Sequence, residues 1–172
     1  MDYAKQLALL TREMIAYEAN VPSRVQHFLK VHNFSRMIGF LENLDEHTLY
    51  ILEAAALVHD IGIKPSIEKY GKGDGHYQEI EGPIAAEPML LSLGFEKDII
   101  SRICYLIAHH HTYTNIEGMD YQILIEADFL VNLYEGSSDS ETIQNVYDRI
   151  FKTTSGKSFC SSMFGLQERG VL

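Results

Sequence analysis

Cysteine is scarce in this chain. Cys104 and Cys160 are the only two, too few and too far apart for a disulfide framework or a Cys-x-x-Cys metal site. Cys104 lies in an apolar helical run and reads as core. Long apolar stretches are missing too: none reaches the ~20 residues that span a bilayer. The first ten residues carry Asp2 and Lys5 and have no apolar centre of the kind a signal peptide needs. A soluble, cytoplasmic protein that does not enter membranes is the expectation. Positive charge is in deficit, with 14 Lys and Arg against 24 Asp and Glu and a net charge of −10. That excludes a general nucleic-acid binder, because neutralising phosphates takes concentrated Lys and Arg. A small anionic substrate stays compatible, since a bound divalent ion reverses the sign locally. No segment alternates convincingly as a strand, and there is no internal repeat or low-complexity tract. What remains is an all-α chain whose 172 residues suffice for one domain with a core that needs no covalent staples.

Histidine is present in number: eight, three of them consecutive. The stretch around which the others arrange themselves is Leu57-Val58-His59-Asp60-Ile61-Gly62. It ends a run, Thr48 to Val58, that is apolar on nearly every side and is expected to be a buried helix. An imidazole and a carboxylate at the end of such a helix, before a glycine able to stop it, present a cost. An uncompensated buried carboxylate is unfavourable by several kcal/mol or more, about 3–5 where a partner has been removed. Asp60 therefore needs a cation or a full set of donors. A divalent metal meets the need of both residues at once; a turn cap at Asp60 beside a hydrogen-bonded core histidine is the plainer account.

The remaining chain weighs between them. Tyr3 to Asn20 is expected to be an amphipathic helix with Leu7, Leu10, Met14 and Tyr17 on one face. After Pro22, Ser23 can cap a helix from Arg24 to about Leu44. From His27, helical steps land on Val31, Phe34, Ile38 and Leu41, so His27 faces inward; from His32 they land on Ser35, Arg36, Gly39 and Asn43, so His32 faces solvent. The short connection Leu44-Asp45-Glu46 makes this helix antiparallel to the next, which puts His27 beside His59 and Asp60. Ile63 to Gly82 is expected to be irregular, broken by Pro65, Gly71, Gly73 and Gly75. Its Lys64, Lys69 and Lys72 suit either a phosphate-covering lid or a mere connection. Helices are expected over Ile84–Leu93, Glu96 to about Ala108, Tyr121–Tyr134 and Ser140 to about Phe151. The tail is expected to be irregular apart from apolar docking at Phe159, Met163 and Phe164. Past Ala108, helical periodicity places His110 and His111 on apolar lines and His109 nearer the polar side. Asp128 stands among Tyr121, Leu124 and Val131 and is another carboxylate in need of a cation.

Four sites, His27, His59-Asp60, His109-His110 and Asp128, thus sit on otherwise greasy helices, and one shared metal explains them together. The ordered set resembles the HD superfamily of metal-dependent phosphohydrolases, over about Arg24 to Tyr134. Arg24-Val25-Gln26-His27 resembles the first-ligand helix, Ala55 to Gly62 the signature, and Ile125-Glu126-Ala127-Asp128 the last ligand. The resemblance implies an antiparallel helical bundle with its core at about residues 21–135 and a C-terminal helix and tail at 140–172. It implies ligation of a divalent ion (Fe, Mn, Co, Ni, Mg or Zn) by His27, His59, Asp60 and Asp128. It also implies water-driven hydrolysis of a small phosphate ester, with a nucleotide as the expected substrate. Asp60 or Asp128 would orient the water and take its proton. His109 or His110 would steady the phosphoryl charge or protonate the leaving oxygen, unless they hold a second ion. Dinuclear relatives carry a further histidine where this chain has Gln78; His76 and Glu79 are unassigned substitutes. The Glu-Asp pair of alarmone hydrolases is replaced by Ile63-Lys64. Lys64 and Arg24 suit phosphate contacts or salt bridges equally. The competing readings are an oxygen-activating di-iron relative and a non-catalytic nucleotide-binding module.

Overall fold

Capping side chains mark where several helices begin. Asp2 accepts from the Lys5 N–H at 3.0 Å to start α1 (Tyr3–Tyr17), and Asp45 from the Thr48 N–H at 2.9 Å to start α3 (Glu46–Val58). Each satisfies one of the amide groups that a first turn leaves without a partner. Between them, α2 (Pro22–Leu41) opens on a proline, whose missing N–H is no loss at that position. A computed structural model describes residues 2–166, and among these the chain is all-α, with nine helices and no strand. The others are α4 (Ile63–Tyr70), α5 (Gly75–Ser92), α6 (Lys97–Ile107), α7 (Met119–Glu135), α8 (Ser140–Ile150) and α9 (Thr154–Phe164). None of the described helices is long and apolar enough to cross a membrane.

The antiparallel pair α2–α3 forms the centre, with α7 packed on both and α6 and α1 on α3. Near the connection, Gly39 lies against Leu49 and Leu52; at the far end, His27 meets His59. Every residue from Tyr50 to His59 is buried, so the all-round apolar run does become an all-round buried helix. On α7, Asp120 through Asp128 are buried without a break.

The structure departs from the sequence reading at both ends of the chain's irregular stretches. Instead of a loop from Ile63 to Gly82, only Gly71–Asp74 separate α4 from α5. Pro65 sits in the first turn of α4, where it breaks no hydrogen bond, and Gly71, at φ +74°, ends it. α5 runs through Pro83 and Pro88, against their local preference. Tertiary contacts hold its first half: Lys69 and Tyr70 on α4 both donate to buried Glu81. Gly62 keeps right-handed backbone, so it does not act as a helix stop. It is instead a point of close approach, where a β-carbon would lie 2.6 Å from the Gln78 carbonyl oxygen and 2.8 Å from the Gly82 nitrogen. The tail is not irregular either. Thr153 caps α9, Cys160 and Phe151 are fully buried, and of the three expected docking residues Phe159 and Phe164 pack half-buried against the core while Met163 stays exposed; residues 167–172 lie outside those described. His32, expected in solvent, is half-buried and bonded to Glu53 on α3 at 2.9 Å, and its stripe-mates Ser35 and Gly39 are buried. The α2–α3 contact is simply broader than one apolar line.

Candidate metal centre

Three elements bring four polar side chains to one buried point. His27 comes from the second turn of α2, His59 and Asp60 from the turn that ends α3, and Asp128 from the middle of α7. His27 Nε2 lies 3.2 Å from His59 Nε2, 3.2 Å from Asp128 Oδ1 and 3.5 Å from Asp60 Oδ2. His59 Nε2 lies 3.5 Å from both Asp60 Oδ2 and Asp128 Oδ1. His59 is wholly buried, and His27 and Asp128 nearly so.

The other ring nitrogens decide what these atoms can do. His59 Nδ1 is 2.8 Å from the Ala56 carbonyl, which only accepts, so Nδ1 carries a proton. His27 Nδ1 donates in the same way to Glu135 Oε2 at 2.8 Å, and Glu135 also receives Lys30. In the neutral imidazoles both Nε2 lone pairs therefore point at one another and at two carboxylates, with no donor between them. Such a point needs a cation. The His–His and His–carboxylate separations of 3.2–3.5 Å are those of atoms able to share one ion; His27, His59 and Asp60 form a group that could hold it, with Asp128 against both imidazoles. The fixed Nδ1–H bonds are the outer hydrogen bonds that orient ligating histidines. Without an ion, protons take its place. Burial alone lowers the His59 pKa, but the Asp60 and Asp128 charges outweigh it and raise the group to about 9. His27 is raised likewise, against burial, chiefly through its bond to Asp128. Burial raises both carboxylates, yet the facing imidazoles leave Asp60 and Asp128 lowered.

A second group adjoins the first. α6 ends at Ile107, and the turn after it points His110 inward, with Nδ1 bonded to the Ile107 carbonyl at 2.7 Å and Nε2 3.6 Å from Asp60 Oδ1. That Nε2 is buried and has no hydrogen-bond partner among the described residues. Asp60, His110 and His111 each offer a ligand atom within 4.8 Å of the others. His109 is the expected site residue that the structure does not bring in. Its Nδ1 bonds the Tyr105 carbonyl at 2.7 Å, its ring packs on Tyr105 and Tyr121, and it belongs to neither group able to hold an ion among the described residues. The pair that converges on Asp60 is His110–His111 and not the expected His109–His110, because α6 has already ended at Ile107 and the turn after it, not helical periodicity, aims these rings. The four basic residues that suited phosphate contacts are engaged: Arg24 with Glu18, Lys64 over the Tyr17 ring, Lys69 with Glu81, Lys72 with Asp74. His76 is exposed beside Tyr77, while Glu79 accepts from the His111 N–H and the Thr112 hydroxyl. Glu135 was missed by sequence reasoning; it sits seven residues, or two helical turns, beyond Asp128, a spacing that would have found it.

The HD domain family model matches residues 24–152. Among solved structures, a predicted HD superfamily hydrolase from an uncultured Thermotogales bacterium matches with a TM-score of 0.63 and 22% identity, covering 94% of this chain and 84% of that one. At that identity the likeness is one of fold. No curated protein matches the chain.

Proposed function

The chain belongs to the HD domain family, and from that premise we propose that it is a metal-dependent phosphohydrolase cleaving a small phosphate ester, a nucleotide in particular. One observation carries the reading: two imidazole lone pairs and two carboxylates, all but Asp60 buried, face each other in a place that offers no donor of its own. In this proposal His27, His59, Asp60 and Asp128 hold one divalent ion, from among Fe, Mn, Co, Ni, Mg and Zn. Bound there, it supplies Lewis acidity, polarising a phosphoryl oxygen and making water nucleophilic near neutral pH.

The rest is the work of side chains. Asp60 is bifacial, with Oδ2 toward the imidazole pair and Oδ1 toward His110. Oδ1 orients the attacking water and accepts its proton. His110 Nε2, 3.6 Å away and otherwise without a partner, is the next acceptor and hands the proton to the leaving oxygen. The Nδ1–H bond to the Ile107 carbonyl keeps the ring aimed during that transfer. His59, His110 and Asp128 are buried, while the Asp60 side chain keeps 23% exposure and is the member of the group that water and substrate can reach. A nucleotide is favoured over a bare phosphate ester by Tyr113. It is 41% exposed, with its ring 5.1 Å from that of Phe129, the residue after Asp128, and it offers a planar base a surface for stacking. A cytoplasmic setting is part of the proposal, since Cys104 and Cys160 are both free thiols.

The test pairs metal analysis with phosphate release. Protein purified, stripped and reloaded with each candidate ion is screened against nucleoside mono-, di- and triphosphates. Phosphate release that depends on added ion, and is lost in Asp60→Ala with helical content retained, is the expected result. Release that survives in Asp60→Ala, or a protein that takes up no ion, defeats the reading. Tight nucleotide binding without turnover would identify a binding module instead.

A further inference from the structure

Asp60, His110 and His111 lie close enough for a second ion beside the first, but their hydrogen bonds argue against one. The Gly73 carbonyl only accepts, so the Gln78 atom 2.8 Å from it is the donating Nε2. That orientation leaves Gln78 Oε1 facing His111 Nε2 at 3.2 Å. An amide oxygen also only accepts, which puts the His111 proton on Nε2. Its lone pair is then on Nδ1, where the Tyr113 hydroxyl stands 3.5 Å away with a proton to donate. The bonds run in one direction, from Tyr113 to His111 to Gln78 to the Gly73 carbonyl. His27, His59 and His110 show the opposite arrangement, with Nδ1 tied and Nε2 turned toward the carboxylates.

The His111 ring is also seated. A β-carbon at Gly75 would lie 2.7 Å from His111 Cγ, and Glu79 holds the His111 N–H at 3.1 Å. Coordination through Nε2 would strip the proton from that nitrogen and leave Oε1 of buried Gln78 without a partner. Coordination through Nδ1 would break the Tyr113 bond and turn a ring that α5 grips closely.

Building on the phosphohydrolase reading above, we propose that Gln78 restricts the centre to one divalent ion. It does so by holding His111 as an Nε2–H donor, so that His110 and the second oxygen of Asp60 face substrate and not another metal. Gln78 is a positioning residue here, acting through His111.

Equilibrium dialysis of the full chain against Mn(II), read together with electron paramagnetic resonance, tests this. The expected result is one Mn per chain with an uncoupled six-line spectrum, and two spin-coupled Mn per chain in Gln78→His. Two coupled ions in the unaltered protein overturn the proposal while leaving the phosphohydrolase reading intact; no bound ion overturns that reading and this one with it. A folded Gln78→His that still takes one ion removes Gln78 from the role. Should that variant not fold, nitrogen-15 histidine spectra of the unaltered Zn-loaded protein decide: the His111 proton on Nε2 supports the proposal, and on Nδ1 overturns it.

Discussion

Two carboxylates on one helix, two residues apart and equally hidden, are handled in opposite ways. Glu126 is fully buried and the protein surrounds it with donors: Gln122 Nε2 at 2.7 Å, the Lys152 and Thr153 N–H groups at 2.6 and 2.9 Å, and the Thr153 hydroxyl at 2.5 Å. Asp128, 5% exposed, meets two imidazoles whose other nitrogens already hold the protons. Both sit among apolar neighbours, so both had to be compensated. Glu126 is compensated from within and fastens the α8–α9 junction to α7. Asp128 is left for something from outside. A buried acid marks a site when its compensation is incomplete, and burial by itself does not separate the two cases.

The comparison breaks most sharply under substitution. Asp128→Asn should cut metal-dependent phosphate release by more than the ~100-fold that loss of an outer hydrogen-bond partner costs, with the fold intact by circular dichroism. Turnover within tenfold of the parent would remove Asp128 from the centre. Glu126→Gln should do the reverse. It turns an NH₂ group toward buried donors and leaves some without acceptors, a loss of about 3 kcal/mol, read as a lower urea midpoint. Its metal content per folded chain should not change, and a loss of metal there would erase the distinction between the two acids.

A smaller effect concerns pH. In the metal-free protein His59 is raised from 6.5 to about 9, against burial, by Asp60 and Asp128. A raised imidazole contributes stability that is complete below its unfolded pKa and is lost as pH climbs through the folded one. The melting temperature of chelated protein should therefore fall by roughly 5 °C between pH 6.5 and 9. Ion affinity should rise over the same interval, as fewer protons compete. A flat melting temperature in chelator across that range would contradict the arrangement. The smallest change is expected at His109. Its ring serves packing on Tyr105 and Tyr121, so His109→Phe should leave phosphate release within about twofold and shift stability by about 1 kcal/mol. A large loss of release would return His109 to the chemistry.

Much of this is legible in the amino-acid sequence. The run from Tyr50 to Val58 is so uniformly apolar that only a fully buried helix could use it, and it is fully buried. The short α2–α3 connection implied the antiparallel pair, hence the meeting of His27 with His59. Two helices were invisible for a local reason. Pro65 and four glycines make residues 63–82 look broken, and Thr153 to Gly156 look like a tail, yet each segment is ordered by contacts between one helix and another that local propensity does not report. Glu81 gathers Lys69 and Tyr70 for the first, and Glu126 gathers Thr153 for the second. Outward placement of His32 failed for a related reason, because Glu53 on the neighbouring helix supplies it with a partner.

The kinds and order of the polar residues, and the greasy helices that carry them, are properties of the amino-acid sequence alone, because periodicity is a local rule that each segment obeys by itself. The tautomers divide between the two levels. His59 and His110 are fixed locally, each by the carbonyl three residues before it, Ala56 and Ile107, so a helical spacing already aims their Nε2 atoms inward. His27 and His111 were decided only in three dimensions, by Glu135 and Gln78 brought from other helices, because a proton's position on an imidazole is set by what stands opposite and there the opposing group is far away in the chain.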